Sequence, residues 1–311
     1  MRKSILLLGV LLFSLQAVSA AEILHCNACR KRIRNRYIKG SDGNAYCGEE
    51  CADKTLLPKC GNCTRPVRRW MVLPTAYGKF IYCNDCWNLS KCFLCSIPGS
   101  RLHKLPNGNF ICRYCNKDIV RTLPELQKIF DAVRRDLTRK FNFEFKHQIK
   151  LEMRSFSEAA EWDTSREFGL YKYHGQIITT EPGLIGKWRK QKSTVRFENE
   201  SCTIIVMDYL PHNKAAEVIA HELAHEYMKH RWYFIKSDLL KEGFAELIAA
   251  EYNRYCGNER WNYRMELNPD KIYGDGYRLM RSYWQNGSWQ EIYRQLDKAN
   301  LQDMPPEFKQ K

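Results

Sequence analysis

Hydrophobic and polar positions along the chain change period several times, and each change predicts an element. Leu126, Ile129, Phe130, Val133 and Leu137 recur at helical spacing after Leu123-Pro124-Glu125, predicting an amphipathic helix to about Lys140. Lys146 to Met153 alternates, as a strand does, and Glu167 to Thr180 reads as a hairpin turning near His174-Gly175. Thr203 to Met207 is an apolar strand that ends at Asp208-Tyr209-Leu210-Pro211. Ala215 to Lys229 follows without Gly or Pro and predicts a long helix. A turn near Ile235–Ser237, with Ser237 as N-cap, starts another helix running back.

The N-terminus has a different pattern. Met1-Arg2-Lys3, an apolar run from Ile5 to Leu15 and Ala17-Val18-Ser19-Ala20 read as a secretory signal cleaved after Ala20. That run is too short to span a bilayer, and no later segment is longer. The sequence therefore predicts a secreted or periplasmic protein without stable membrane insertion. At 311 residues and 44% hydrophobic, the chain accommodates about two domains and a sizeable core.

Cysteine spacing marks the first domain. Twelve of the fourteen cysteines form three similar units: Cys26, Cys29, Cys47 and Cys51; Cys60, Cys63, Cys83 and Cys86; Cys92, Cys95, Cys112 and Cys115. Each is a Cys-x2-Cys knuckle followed, after sixteen to nineteen residues, by a second close pair. Gly43, Gly78 and Gly108 open the lead-ins to the second pairs, predicting a glycine turn and a short strand in each. A disulfide scaffold is the competing arrangement for an exported chain. The shared double-knuckle spacing favours three structural zinc sites, each with four thiolate ligands and no open position. His25 and His103, beside the knuckles, read as surface residues.

The formal charge of +15 concentrates here: residues 21–121 carry 18 Lys/Arg against 7 Asp/Glu. Three four-thiolate sites, each about −2, would reduce that +11 to about +5. With the export signal, this argues against a nucleic-acid partner.

The second candidate chemistry is His221-Glu222-Leu223-Ala224-His225 on the long helix. Positions i and i+4 share a face, so His221 and His225 can hold one zinc ion, with Glu222 placed to take a proton from metal-bound water. Glu242, separated from His225 by sixteen residues, completes a His₂Glu set with water in the fourth position, and Glu246 one turn later can orient a ligand histidine. The alternative exchanges the two glutamates. Ile272-Tyr273-Gly274-Asp275-Gly276-Tyr277 reads as a glycine-flexed loop, and Tyr273, Tyr277 or Tyr283 can supply an oxyanion donor, Tyr273 being preferred. Glu251, His147, His174, His212 and His230 read as ordinary residues. Cys202 and Cys256 fit either a disulfide or two thiols.

These motifs together resemble the plant organ-growth-limiting peptidases, which join LIM-type zinc modules to a gluzincin-like metallopeptidase domain. The carrying residues are the Cys-x2-Cys repeats, Asp208-Tyr209-Leu210-Pro211, His221-Glu222-x-x-His225, Glu242-Gly243 and Tyr273-Gly274-Asp275-Gly276-Tyr277. The resemblance implies an α+β fold: signal 1–20, three tandem LIM-like modules over 21–120, and a zinc metallopeptidase domain over 121–311. It implies that His221, His225 and Glu242 bind the catalytic zinc and that Glu222 is the base. In such peptidases a strand beside the zinc helix offers its edge to substrate, a role expected for Cys202–Tyr209. The export signal and the spacers of eight and five residues between modules depart from that family, so its ubiquitin-linked regulation is not carried over. The expected function is a secreted zinc peptidase acting on protein or peptide, with one catalytic and three structural zinc ions. The competing function is a non-catalytic zinc adaptor.

Overall fold

The computed structural model describes residues 6–8, 14–17, 23–155, 168–180, 194–284 and 287–308. The chain divides into two compact units, Met1–Tyr114 and Cys115–Lys311. The division falls inside the third cysteine unit, six residues before the expected position. Most of the expected signal lies outside the described residues. Within it, Leu6–Leu8 (β1) and Ser14–Ala17 (β2) are short strands.

The first unit repeats one hydrogen-bonded pattern three times. The residue after each first knuckle has a left-handed backbone, at Arg30, Thr64 and Ser96, with φ of 62°, 61° and 63°. Its N–H donates to the carbonyl of the first cysteine at 2.8–2.9 Å. The residue following that first cysteine then donates to the strand leading to the second pair: Asn27 to Ala45, Gly61 to Ile81 and Phe93 to Phe110. Those strands end β3 (Leu24–His25), β4 (Arg32–Ile33), β5 (Arg36–Lys39) and β6 (Ala45–Tyr46) in the first module, and β7 (Arg69–Thr75) and β8 (Gly78–Tyr82) in the second. In the third module they are β9 (His103–Lys104) and β10 (Phe110–Ile111). Gly43, Gly78 and Gly108 all have positive φ, which is why the expected turns need glycine. Short helices α1 (Glu49–Leu56) and α2 (Asn84–Trp87) carry the last cysteines of the first two modules. The core of the first module is small: Cys26, Ile33, Ile38, Tyr46 and Ala52.

In the second unit, α3 (Leu123–Phe141) buries Leu126, Ile129, Phe130, Val133 and Leu137, the face its periodicity predicts. Thr122 caps it in a reciprocal box with Glu125, and Asn142 ends it in the left-handed region. A three-stranded sheet follows, ordered β11 (Ile149–Arg154), β13 (Thr194–Met207) and β12 (Gly169–Thr180). β13 pairs in parallel with β11 and antiparallel with β12. Two expectations are corrected here. Residues 169–180 form one strand rather than a hairpin, and His174–Gln176 is a bulge in the pairing with β13. β13 is the middle strand, bonded on both sides over Cys202–Met207, so its backbone cannot serve as a substrate edge.

Pro211 precedes α4 (His212–Arg231) directly, and residues 118–120 pin that junction through bonds to Tyr209, Leu210 and His212. Ser237 caps α5 (Asp238–Tyr255) by accepting from Leu240 N–H. The short α6 (Tyr263–Glu266) and α7 (Tyr273–Tyr283) come next, then α8 (Gln290–Asp303). Residues 273–277, expected as a flexible loop, are the first turns of α7. Their glycines provide close helix approach: a Cβ on Gly276 would lie 2.6 Å from the Leu239 carbonyl and 3.0 Å from Gly243 Cα, and one on Gly243 only 2.4 Å from the Gly276 carbonyl. Gly276→Ala is therefore expected to force α5 and α7 apart and lower unfolding free energy by about 1–3 kcal/mol, read by denaturant titration.

Candidate metal centres

Each set of four cysteines gathers its sulfurs within 4.8 Å of one another. All fourteen cysteines are thiols. Cys29–Cys47, Cys47–Cys51, Cys63–Cys83 and Cys95–Cys112 are separated by 3.7, 3.5, 3.9 and 3.6 Å. A tetrahedron with zinc–sulfur bonds of about 2.3 Å has edges of about 3.8 Å, whereas a disulfide brings its sulfurs to about 2.05 Å. The sets fit metal sites, not bridges. Arg65 Nε donates to Cys63 Sγ at 3.4 Å and Asn62 Nδ2 to Cys86 Sγ at 3.3 Å, as neighbours of a thiolate cluster do. The Arg65 contact lowers the Cys63 thiol to about 6. Cys26 falls to about 6 despite burial because backbone N–H groups of Cys29, Cys47 and Ala28 point at it. The third set is buried throughout, while Cys29 and Cys47 of the first are exposed.

The fourth centre joins two helices. His221 Nε2 lies 3.1 Å from His225 Nε2 and 3.2 Å from Glu242 Oε2, and His225 Nε2 lies 3.4 Å from the same oxygen. Bonds of about 2.0–2.1 Å to a tetrahedral ion require edges of about 3.3–3.4 Å, so the three donors fit one. Glu246 Oε1 is farther, 3.7 Å from His221 Nδ1, on the ring nitrogen that faces away from the cluster. Electrostatics point the same way. Burial opposes a charged His221, yet the bond to Glu242 and the charges of Glu222 and Glu246 push it up to about 9. Burial likewise opposes a charged Glu242, but His225 and His221 hold it well below the usual carboxylate range.

Around this centre the sheet and helices place residues that periodicity did not single out. Gly169 of β12 is buried, and a Cβ there would meet Val218 Cγ1 at 2.4 Å and Glu222 Oε1 at 2.5 Å. Its φ lies outside the left-handed region, so the glycine supplies room for the Glu222 carboxylate rather than backbone freedom. The Tyr171 ring lies 6.4 Å from that of His225 at 23°, and the Tyr273 ring 6.5 Å from that of His221 at 26°. Tyr277 is 1% exposed and belongs to the core; Tyr283 lies on the last turn of α7. His147, expected to be ordinary, bridges two carboxylates: Nδ1 to Glu226 at 2.9 Å and Nε2 to Glu200 at 3.0 Å. Glu251 pairs with Arg254 and Arg281 instead of being merely solvated. Cys202 is buried beside the Tyr171 hydroxyl at 3.4 Å, and Cys256 is exposed. His25 and His103 are exposed as expected.

Behind the centre, buried Glu217 of α4 pairs with Lys214, with Arg264 at 3.2 Å, and accepts from Asn253 at 3.0 Å. Burial alone would raise its pKa, but Lys214 and Arg264 hold it at about 2.

No family model and no solved structure matches the chain. The chain is similar to protein DA1 of Arabidopsis thaliana. Identity is 19% over an alignment of 337 positions that covers 88% of this chain and 62% of that protein. It thus spans about three-fifths of the relative's length. That likeness and the three Cys₄ clusters support a LIM-like zinc-module protein.

Two outcomes follow from the geometry. Glu242→Ala or His225→Ala should lose one of four metal equivalents and keep three, measured by elemental analysis of the purified chain. Glu217→Ala should cost about 3–5 kcal/mol by stranding Lys214 and Arg264. Because folding depresses the Glu217 pKa, its stabilisation is complete above pH 4.5, the ordinary value, and fades as pH falls toward 2. Denaturation midpoints of wild type and Glu217→Gln should therefore converge across that window.

Proposed function

We propose that this protein is an exported zinc-dependent peptidase acting on protein or peptide substrates. The observation that supports this reading is the convergence of His221, His225 and Glu242 into three tetrahedral edges, with the Glu222 carboxylate on the next residue. Zinc held there would polarise a scissile carbonyl and lower the pKa of a water molecule. The chain's own groups do the rest. Glu222, seated against Gly169, accepts the proton of water as its oxygen bonds to the carbonyl carbon, then delivers that proton to the amine as the C–N bond breaks. Tyr273, whose ring faces His221, is the candidate donor to the developing oxyanion. Glu246 orients His221 through Nδ1.

An extended substrate needs a free strand edge, and the corrected candidate is β12. Its Gly169, Tyr171 and Tyr173 run along α4 beside Glu222, His225 and Lys229, and on the side away from β13 no strand pairs with it among the described residues. The three Cys₄ modules, holding structural zinc, serve substrate recognition or restraint of the active site. Their basic surface is partly neutralised by the thiolates, and the reading assigns no nucleic-acid partner. Among the described residues no helix is long and apolar enough to cross a membrane. The N-terminal apolar run, read as an export signal, supports a periplasmic or extracellular location.

Cleavage of unfolded casein tests this reading. Glu222→Gln should keep four metal equivalents and lose about 10²–10⁴ in rate. Gly169→Ala, which pushes a methyl into the carboxylate, should lose tenfold or more, in kcat rather than KM. Equal cleavage by wild type and Glu222→Gln, with metal bound, would leave the non-catalytic adaptor as the better description.

A further inference from the structure

Beyond the metal ligands, α4 and β12 continue side by side into a small aromatic corner. The Lys229 ammonium lies 4.6 Å from the Tyr173 ring centre and 3.8 Å from that of Tyr233. The two rings stand 6.3 Å apart at 76°, as adjoining walls. Tyr173 is fixed from behind, its hydroxyl donating to Glu200 at 2.7 Å, and Glu200 also receives His147. Glu200, the carboxylate whose charge reaches Lys229, is thus engaged elsewhere, and among the described residues no Asp or Glu forms an ion pair with Lys229.

Two ordinary explanations for such a lysine fit poorly. A cation on the last turn of a helix can answer the helix dipole. Here, however, the ammonium lies over ring faces of β12 and Tyr233, and His230 and Arg231 occupy the same turn. A lysine can also cover apolar surface with its stem while its head stays hydrated. That head is instead half-buried, and burial, with Lys241 nearby, lowers its pKa. Glu200 and Cys202 act against that fall without reversing it, and no carboxylate pairs with the ammonium among the described residues.

We propose that Lys229, walled by Tyr173 and Tyr233, is a carboxylate-binding subsite of the same cleft, taking an acidic side chain or the free C-terminus of the peptide substrate. The assignment deepens the peptidase reading and rests on it. Lys229 follows His225 by four residues, about 6 Å along the helix axis. An extended peptide covers that distance in about two residues. The carboxylate therefore belongs about two residues from the bond that is cut. Aromatic walls add to this selectivity, since their faces hold the cation in place and exclude part of its water.

Four peptides of one sequence, with Glu or Gln two residues from the cleaved bond and with a free or amidated C-terminus, test the subsite. Wild type should show a KM at least tenfold lower for the carboxylate-bearing peptides than for the neutral one. Lys229→Met should bring that ratio close to one, with the loss in KM and not in kcat, and Lys229→Arg should restore most of it. A response to Glu identifies a side-chain acid, and a response to amidation identifies the terminal carboxylate. Equal KM across the four peptides for wild type overturns the proposal, as does a ratio that survives Lys229→Met. Absence of any cleavage counts against the peptidase reading alone. The subsite is then read by fluorescence anisotropy of the labelled peptides on the Glu222→Gln chain, where equal affinity for acid and amide overturns it.

Discussion

The centre on α4 and α5 depends on one turn, which must return the chain so that Glu242 meets two histidines within 3.2–3.4 Å. Three side chains of α8 hold that turn. Asp297 accepts from the Trp232 indole, Asn300 from the Phe234 N–H and Asp303 from the Lys236 N–H, all at 2.7–2.9 Å. Spaced three residues apart, they lie on successive turns of one helical face. From the other side, the glycine contact of α5 with α7 sets how deeply Glu242 is carried. Misplacing a ligand by an ångström would cost the tetrahedral edges, so residues remote from the metal are part of its definition. The α8 clamp would be missed by any search for ligand spacing.

The cysteine modules solve a related problem with fewer resources. Among the described residues the first has a core of five buried residues, too small to offset the conformational entropy of its loops. Order comes instead from a repeated left-handed residue, a repeated backbone bond to the strand beyond, and sulfurs spaced for a metal. A bound ion would then supply the folding energy that the core lacks. The gradient of exposure, from exposed Cys29 and Cys47 in the first set to full burial in the third, means the three sites share a pattern but not an environment.

What could be read from the chain was local. Helix faces, the cap at Ser237, the glycine turns and the four candidate ligand sets follow from spacing within about twenty-five residues. What could not be read was pairing. β13 joins β11 in parallel across some fifty residues, and no periodicity reports which strand will be central. That is why the expected substrate edge fell on β13, a strand paired on both sides. The hairpin at His174-Gly175 failed for a similar reason: a bulge and a tight turn both use glycine, and only the partner strand distinguishes them. Gly276 suggested flexibility, but close packing of helices is the other use of glycine. Gly169, His147 and Lys229 had no sequence signal, because each is defined by residues far along the chain.

Charge explains why these separate features coexist around one centre. Glu222, Glu242 and Glu246 place three carboxylates in a largely buried space, an arrangement that burial alone would resist. The proposed divalent ion offsets two of those charges. The remaining one faces the cluster behind α4, where Lys214 and Arg264 outnumber Glu217 and contribute one net positive charge close enough for Lys214 to act on Glu246. Metal, ligand glutamate, base and the buried Lys214–Glu217–Arg264 group then balance as a unit. Burial still raises the Glu246 pKa, and the charges of His221 and Lys214 act against that rise.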